Sequence, residues 1–427
     1  MTKERIRVEN IIKLFGESAQ AGLKLLQAGR GKDEIHDETG AVLGLDNVSF
    51  TVNEGEILVV MGLSGSGKST MLRCINRLIE PTSGSIKVDG TEVTTLTKQQ
   101  LVDFRREKFG MVFQHFALFP NRTIAENVEY GLEVQGVARK IRRQKALEAI
   151  ELVGLKGWAD KLPGQLSGGM QQRAGLARAL AVNADILLMD EAFSALDPLI
   201  RRDMQDELGT LQRNLKKTVV FVSHDLDEAI HLGGRIVLMK DGAIVQSGYP
   251  EEILLNPQGD YVRRFVEHID VSSVVTLGYL ASRGIPGLFE QSKACEAYPI
   301  IQDKEGQGFI VTCDRNMPVG RVSRDALSAT TSQNMPLASL MLRGVQTAPA
   351  RTILKEVLPK LAQEPEGIAV VDDDGRYLGL ITQSAALRAI SGSTGIAETH
   401  ELTGETPWIG QSPNSRWTDT VTSSSAG

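Results

Sequence analysis

The chain has 427 residues, too many for one hydrophobic core and enough for two or three domains. With 41% hydrophobic and 23% charged residues and no apolar run near the ~18 needed to cross a bilayer, the composition excludes a membrane-spanning chain. A net charge of −6 without a long basic run argues against a nucleic-acid partner, and three cysteines (Cys74, Cys295, Cys313) without a CxxC pair argue against a disulfide framework or a zinc site.

The opening residues MTKERIRVENIIKLFG mix both charges with no sustained apolar segment, so a secretory leader is not expected and the protein is placed in the cytosol. Residues 16–43 follow: AGLKLLQ has helical spacing, and the charged stretch after it reads as exposed. GLDNVSFTV (44–52) reads as a strand. ILVV (57–60) reads as a buried strand ending at Gly62, and MLRCINRLI after Thr70 as a helix.

Between that strand and helix lies GLSGSGKST: Gly62, Leu63, Ser64, Gly65, Ser66, Gly67, Lys68, Ser69, Thr70. Gly62 and Gly67, separated by four residues and followed by Lys-Ser, have the Walker A spacing, in which backbone N–H groups close on a polyphosphate at a helix N-terminus. Lys68 is expected to reach the β- and γ-phosphates, and Ser69 to offer its hydroxyl to Mg²⁺. The motif alone leaves kinases, GTPases and motors open.

Farther along, LSGGMQQR (166–173) follows the turn-like KLPGQ and opens the helix RAGLARALA, so Ser167, Gly168 and Gly169 present N–H groups and a hydroxyl at a second helix N-terminus. One γ-phosphate cannot easily be surrounded by both loops of one chain, so the second is expected to meet a nucleotide held by another subunit, two chains sandwiching two ATPs. ILLM (186–189) reads as a buried strand that delivers Asp190 and Glu191 from its end. Asp190 is placed to hold Mg²⁺, and Glu191 to deprotonate the water that attacks the γ-phosphate. His224, in VVFVSHD, ends another apolar strand.

With these loops the sequence resembles the ATP-binding cassette family over residues 1 to about 260. The usual signature is LSGGQ, and here Met170 replaces its glutamine while the backbone donors are kept. The resemblance implies an α/β P-loop NTPase fold with a helical subdomain, ATP and Mg²⁺ as ligands, and four further roles. Gln114 in FGMVFQHF resembles the Q-loop glutamine that senses Mg²⁺ and the attacking water. His224 resembles the switch histidine on the γ-phosphate. SALD (194–197), with Asp197, resembles the D-loop at the dimer interface. Phe15, in IIKLFG, occupies the position where the family stacks an aromatic ring on adenine. The insertion at 16–43, the run MGLSGSGKSTMLRCINRLIEPTSG and the LSGGM variant together resemble the ATPase subunit of importers for glycine betaine, proline betaine and choline.

Beyond a cassette at 1–265, sliding the sequence along itself by 59 positions lays GFIVTCDRNMPVGRVS over GIAVVDDDGRYLGLIT: Gly308 on Gly367, Val311 on Val370, Asp314 on Asp373, Gly320 on Gly379, Ser323 on Thr382. Each copy reads strand, polar turn, strand, helix. The pair, 271–330 and 333–392, resembles tandem CBS modules of α+β type, which often bind adenine nucleotides and regulate the attached domain. In the nucleotide-binding version a hydroxyl residue is followed three positions later by a ribose-holding aspartate; here those positions are Ala326 and Ala385. Residues 393–427, rich in Ser, Thr and Gly, read as a disordered tail.

The resemblance implies a homodimer on the cytoplasmic face of a bacterial inner membrane, held there by an integral-membrane permease and supplied by an external substrate-binding protein. An importer ATPase for another solute, such as an amino acid, and a soluble cassette ATPase outside transport remain as alternatives.

Overall fold

The computed structural model describes residues 3–114, 117–194, 196–281, 287–301, 308–330 and 335–391; the tail expected to be disordered lies outside them. The chain divides into two compact units, Met1–Ile269 and Asp270–Gly427.

In the first unit, β1 (Glu4–Phe15) pairs antiparallel with β2 (Val42–Asn53). After β3 (Ile57–Met61) the chain forms β4 (Ser83–Val88) and β5 (Thr91–Glu92), which complete a four-stranded sheet in the order β2-β1-β4-β5. One side of that sheet is apolar, as the alternation of buried Val48, Phe50 and Val52 along β2 requires.

The insertion at 16–43 is more ordered than the sequence suggests. Its charged stretch forms a helix, Lys32–Thr39, beside the expected one at Ala19–Gln27. Glu34 caps the Gly31 N–H at 3.0 Å, and Ile35, buried against Leu14, Ala41 and Leu43, anchors the helix. One apolar residue among charged neighbours was enough to dock it.

The second sheet carries β6 (Phe109–Val112), β7 (Ile186–Asp190), β8 (Thr218–Val222), β9 (Arg235–Lys240) and β10 (Ala243–Gly248), in the order β10-β9-β3-β8-β7-β6. All neighbours are parallel except β10 and β9. Every residue of β3, β7 and β8 is buried, which explains why they read as unbroken apolar runs: both faces of a parallel sheet are covered. Because β3, β6, β7 and β8 run the same way, the loops leaving them emerge on one edge, where ligands of such sheets bind.

Between β6 and β7 lies a helical region, Ile124–Val128, Tyr130–Val134, Arg139–Leu152 and Gly168–Ala181. Its interior combines small residues, Ala146, Ala149, Ala174 and Ala177, with the larger Ile124, Leu132, Ile150 and Leu176. The fully buried Asn127 amide pins the loop before it, donating to the Phe119, Arg122 and Thr123 carbonyls at 3.0–3.1 Å.

The second unit contains the repeat as two small sheets. Strands β11 (Leu288–Phe289), β12 (Gly308–Thr312), β13 (Pro318–Ser323) and β14 (Leu342–Arg343) form one, and β15 (Thr347–Pro349), β16 (Ile368–Val371) and β17 (Tyr377–Ile381) the other. Each copy has the expected strand, turn, strand, helix order, ending in helices Arg324–Thr330 and Gln383–Ser391. The halves interlock across the boundary drawn at 330–333. β14 from the second half pairs with β13 of the first, while helix Leu277–Ala281 from the first half packs on β17, where Gly379 leaves no room for a Cβ beside the Ala281 carbonyl. Asn316 also bonds both ways with the Tyr377 backbone, at 2.7 and 3.0 Å.

Candidate active site

The Walker loop is shaped by its glycines. Gly62 has φ of 146° and Gly67 φ of 96°; a Cβ on Gly62 would run into the Met239 carbonyl, and one on Gly67 would come within 2.6 Å of the Gly44 carbonyl. Helix Lys68–Ile75 begins at the end of this loop, so the expected helix starts a turn earlier than its apolar periodicity shows.

Lys68 is buried, and its ammonium donates to the Gly62 and Leu63 carbonyls at 2.9 and 3.0 Å. Burial pulls its pKa down, while the nearby Glu191 and Asp190 carboxylates act the other way. The Ser66 hydroxyl is buried in the same loop without a hydrogen-bond partner. A cation turned onto loop carbonyls and an orphaned hydroxyl in one cradle suit an anionic ligand rich in acceptor oxygens.

Ser69 donates to Asp190 Oδ1 at 2.7 Å, joining the end of β7 to the first turn of the Walker helix. The other Asp190 oxygen accepts from Arg73 at 3.0 Å. Arg73 was not anticipated. Its signal was available, since it follows Ser69 by four residues and so shares its face of the helix.

Glu191 follows with φ of 46°, a left-handed conformation that a non-glycine residue adopts at a cost, and its N–H bonds to the Val222 carbonyl at 3.1 Å. That backbone turn aims the side chain across the sheet edge. Glu191 Oε2 accepts from the Gln114 amide at 3.1 Å and lies 3.7 Å from His224 Nδ1. Ser194, inside the SALD stretch but not singled out there, links the same group: its hydroxyl donates to the Glu191 carbonyl at 3.0 Å and accepts from Gln114 at 3.4 Å. Lys68, Ser69, Asp190, Glu191, Gln114 and His224 thus converge from the ends of β3, β7, β6 and β8.

Phe15 stands at the end of β1, more than a third exposed, with the Lys13 ammonium 5.0 Å from its ring centroid. A Cβ on Gly44 would come within 2.6 Å of this ring, and the Gly44 carbonyl in turn backs Gly67. An aromatic face is therefore open beside the Walker loop instead of being spent in the core.

Ser167, Gly168 and Gly169 do not join this cluster. Ser167 caps helix Gly168–Ala181 by accepting from the Met170 N–H at 3.4 Å, and Gly169 lies against Ile200. Among the described residues no hydrogen bond or ion pair connects 167–169 with 62–70. Asp197 is exposed and caps helix Pro198–Leu215 through the Ile200 N–H at 3.1 Å.

Comparison with known proteins agrees with this geometry. A family model described as ABC transporter matches residues 45–194, and one described as CBS domain matches 337–392. The glycine betaine transport ATP-binding protein OpuAA of Bacillus subtilis is 48% identical over 391 residues, 91% of this chain and 93% of that protein. The glycine betaine/proline betaine transport system ATP-binding protein ProV of Escherichia coli is 45% identical over 389 residues, 90% and 97% of the two chains. The solved structure of cbiO1 from Clostridium perfringens, described as part of the ABC transporter complex cbiONQ, shares the fold, with a TM-score of 0.51 at 22% identity over 62% of this chain and 96% of that one. By identity sustained along nine-tenths of its length, the chain belongs to the ABC transporter family, among the glycine betaine transport ATP-binding proteins.

Proposed function

We propose that the protein hydrolyses ATP to energise import of quaternary amine solutes such as glycine betaine, proline betaine or choline. One observation carries this reading: the cation, the hydroxyl–carboxylate pair and the Glu191 cluster meet at a single sheet edge. That grouping has a phosphate cradle on one side and a base on the other.

The residues present fit ATP with Mg²⁺. Lys68 can exchange two neutral carbonyls for phosphate oxygens, which restores charge pairing to a buried ammonium. Ser69 and Asp190, already paired, offer oxygen atoms of the kind a hard cation prefers, and Gln114 approaches from β6 with an amide oxygen. Ser69, Asp190 and Gln114 would hold Mg²⁺ there, and the ion would supply positive charge to offset that of the phosphates.

Glu191 then acts as base, taking the proton of the attacking water. The Gln114 amide holds the carboxylate in one orientation, and the Ser194 hydroxyl fixes the backbone turn that aims it. His224, exposed and swung toward Glu191, donates to the γ-phosphate. Phe15 stacks on adenine. Ser167, Gly168, Gly169 and Asp197, standing apart from the Walker loop, serve the nucleotide of a second copy, so the working unit is a homodimer with two composite sites.

Among the described residues no helix is long and apolar enough to cross a membrane. The kinship with transport-system ATP-binding proteins supports solute passage through an integral-membrane permease fed by an external binding protein, with this subunit on the cytoplasmic face of the inner membrane. The repeat in the second unit acts as a control element. Ser323 and Thr382 accept from the Ala326 and Ala385 N–H groups at 3.2 Å, so the hydroxyls cap helices at the two positions where a ribose aspartate is missing. That favours an ionic signal over an adenosine nucleotide.

The test is uptake of labelled glycine betaine, choline and an amino acid by vesicles carrying this subunit with its permease and binding protein. ATP-dependent uptake of a quaternary amine supports the reading; uptake of the amino acid alone rejects it.

A further inference from the structure

Behind the site lies a buried polar cluster that none of the steps above uses. Glu228, in helix Leu226–Leu232, is 5% exposed, and burial pushes its carboxyl pKa up against the opposing hydrogen bond from Ser223. Gln205 is equally buried and donates to Glu228 Oε1 at 3.2 Å; both sit between that helix and helix Pro198–Leu215. Burying a carboxylate beside a guanidinium costs desolvation, so a purely structural pair would be replaceable by apolar packing at little loss.

What the cluster touches indicates its use. Ser223, immediately before His224, is 1% exposed and donates its hydroxyl to Glu228 Oε2, while Ser223 Oγ accepts from the Asp225 N–H at 2.9 Å. Those contacts set the turn that carries the histidine. On the other side, the Arg201 Nε lies 3.8 Å from Glu228 Oε1 and has no hydrogen-bond partner of its own. Its Nη1 donates to Asp225 Oδ2 at 3.2 Å, and its Nη2 to the Leu196 carbonyl at 3.2 Å. Leu196 belongs to the same loop as Ser194, which holds the Glu191 backbone and meets Gln114. One guanidinium and one carboxylate therefore tie the turn bearing His224 to the loop that follows Glu191.

We propose that Glu228 and Arg201 are positioning residues that fix His224 against Glu191, the pair now 3.7 Å apart. The inference rests on the functional reading of those two groups. Neither Glu228 nor Arg201 touches the reacting atoms. They act by preventing the two loops from moving independently, so that displacement of Ser194 and Leu196 shifts the histidine.

The test uses the full chain and a double-mutant cycle of hydrolysis between Glu228→Gln and His224→Ala, with KM and thermal midpoint measured throughout. The amide oxygen can still accept from Gln205, its NH2 can donate to the Ser223 hydroxyl, which then turns its proton to the Asp225 carbonyl, and the charge facing Arg201 is removed. We expect Glu228→Gln to lower kcat about tenfold with KM within about twofold, and to add little further loss in the presence of His224→Ala, because a misplaced histidine and a missing one are equivalent. Arg201→Lys, which keeps the charge but cannot span three partners, gives the same pattern and serves if Glu228→Gln fails to fold. Multiplicative losses, or unchanged kcat in either folded variant while His224→Ala is impaired, overturn the coupling. Full activity of His224→Ala alone would instead remove the functional reading on which the coupling stands.

Discussion

Replacing Glu191 by Gln tests the central chemical assignment with little change of shape. The side chain sits at a strained turn, φ of 46°, held by the Val222 carbonyl and the Ser194 hydroxyl, and none of these contacts involves its carboxylate. Gln at 191 can present its amide oxygen to the Gln114 donor that now lies 3.1 Å away, so the loop should stay in place. What is lost is the capacity to take a proton. Positioned general bases contribute roughly 10²–10⁴ in rate, so turnover should fall by that factor, equivalent to about 2.7–5.5 kcal/mol of barrier. ATP binding should be kept, because Lys68, Ser69 and Asp190 approach from β3 and β7 without using Glu191 as a hydrogen-bond partner. Phosphate release and retention of radiolabelled ATP, measured on the same preparation, separate the two effects, and light scattering reports whether the ATP-loaded variant accumulates as a dimer. Turnover within about threefold of wild type, or an ATP affinity that falls as far as turnover, would refute the assignment.

Lys68→Met should abolish ATP binding yet leave the nucleotide-free protein with an unchanged or higher Tm, since it removes an ammonium that burial disfavours. Because folding lowers the Lys68 pKa, the unfolded chain binds more protons between the folded and the ordinary lysine values; wild-type stability should therefore rise relative to Lys68→Met as pH climbs through that window, and a falling difference in Tm would contradict it. Mixing Lys68→Ala subunits with Ser167→Arg subunits should restore one composite site, giving about half of wild-type hydrolysis at best; no recovery would show that both loops serve one nucleotide in cis. Deletion from residue 270 should leave basal hydrolysis nearly intact while flattening the dependence of transport on salt in vesicles, and superimposable salt curves would leave the repeat a structural role.

Local chemistry made much of this protein legible before its fold was known. Strands buried on both faces must be apolar throughout, so β3, β7 and β8 announced themselves as unbroken runs, and the groups that follow them, the Walker loop, Asp190–Glu191 and His224, could be read as ends of strands. The repeat was readable for a similar reason, because two copies under the same packing demands keep the same spacing. Short-range pattern says nothing, however, about partners distant in sequence. That Arg73 takes the second oxygen of Asp190, 117 residues away, depends on the order in which strands enter the sheet. The docking of the charged helix Lys32–Thr39 turned on Ile35 alone, too weak a signal against seven polar or charged neighbours. The exchange of β14 and helix Leu277–Ala281 between the two repeats, and the meeting of Arg201 and Glu228 behind His224, follow from which surfaces remain unpaired once the sheets have formed. Residue types and their spacing therefore determined the chemistry available at the sheet edge, whereas the buried polar contacts that hold those groups in register were decided by tertiary packing, because a buried donor must find its partner wherever the fold brings one.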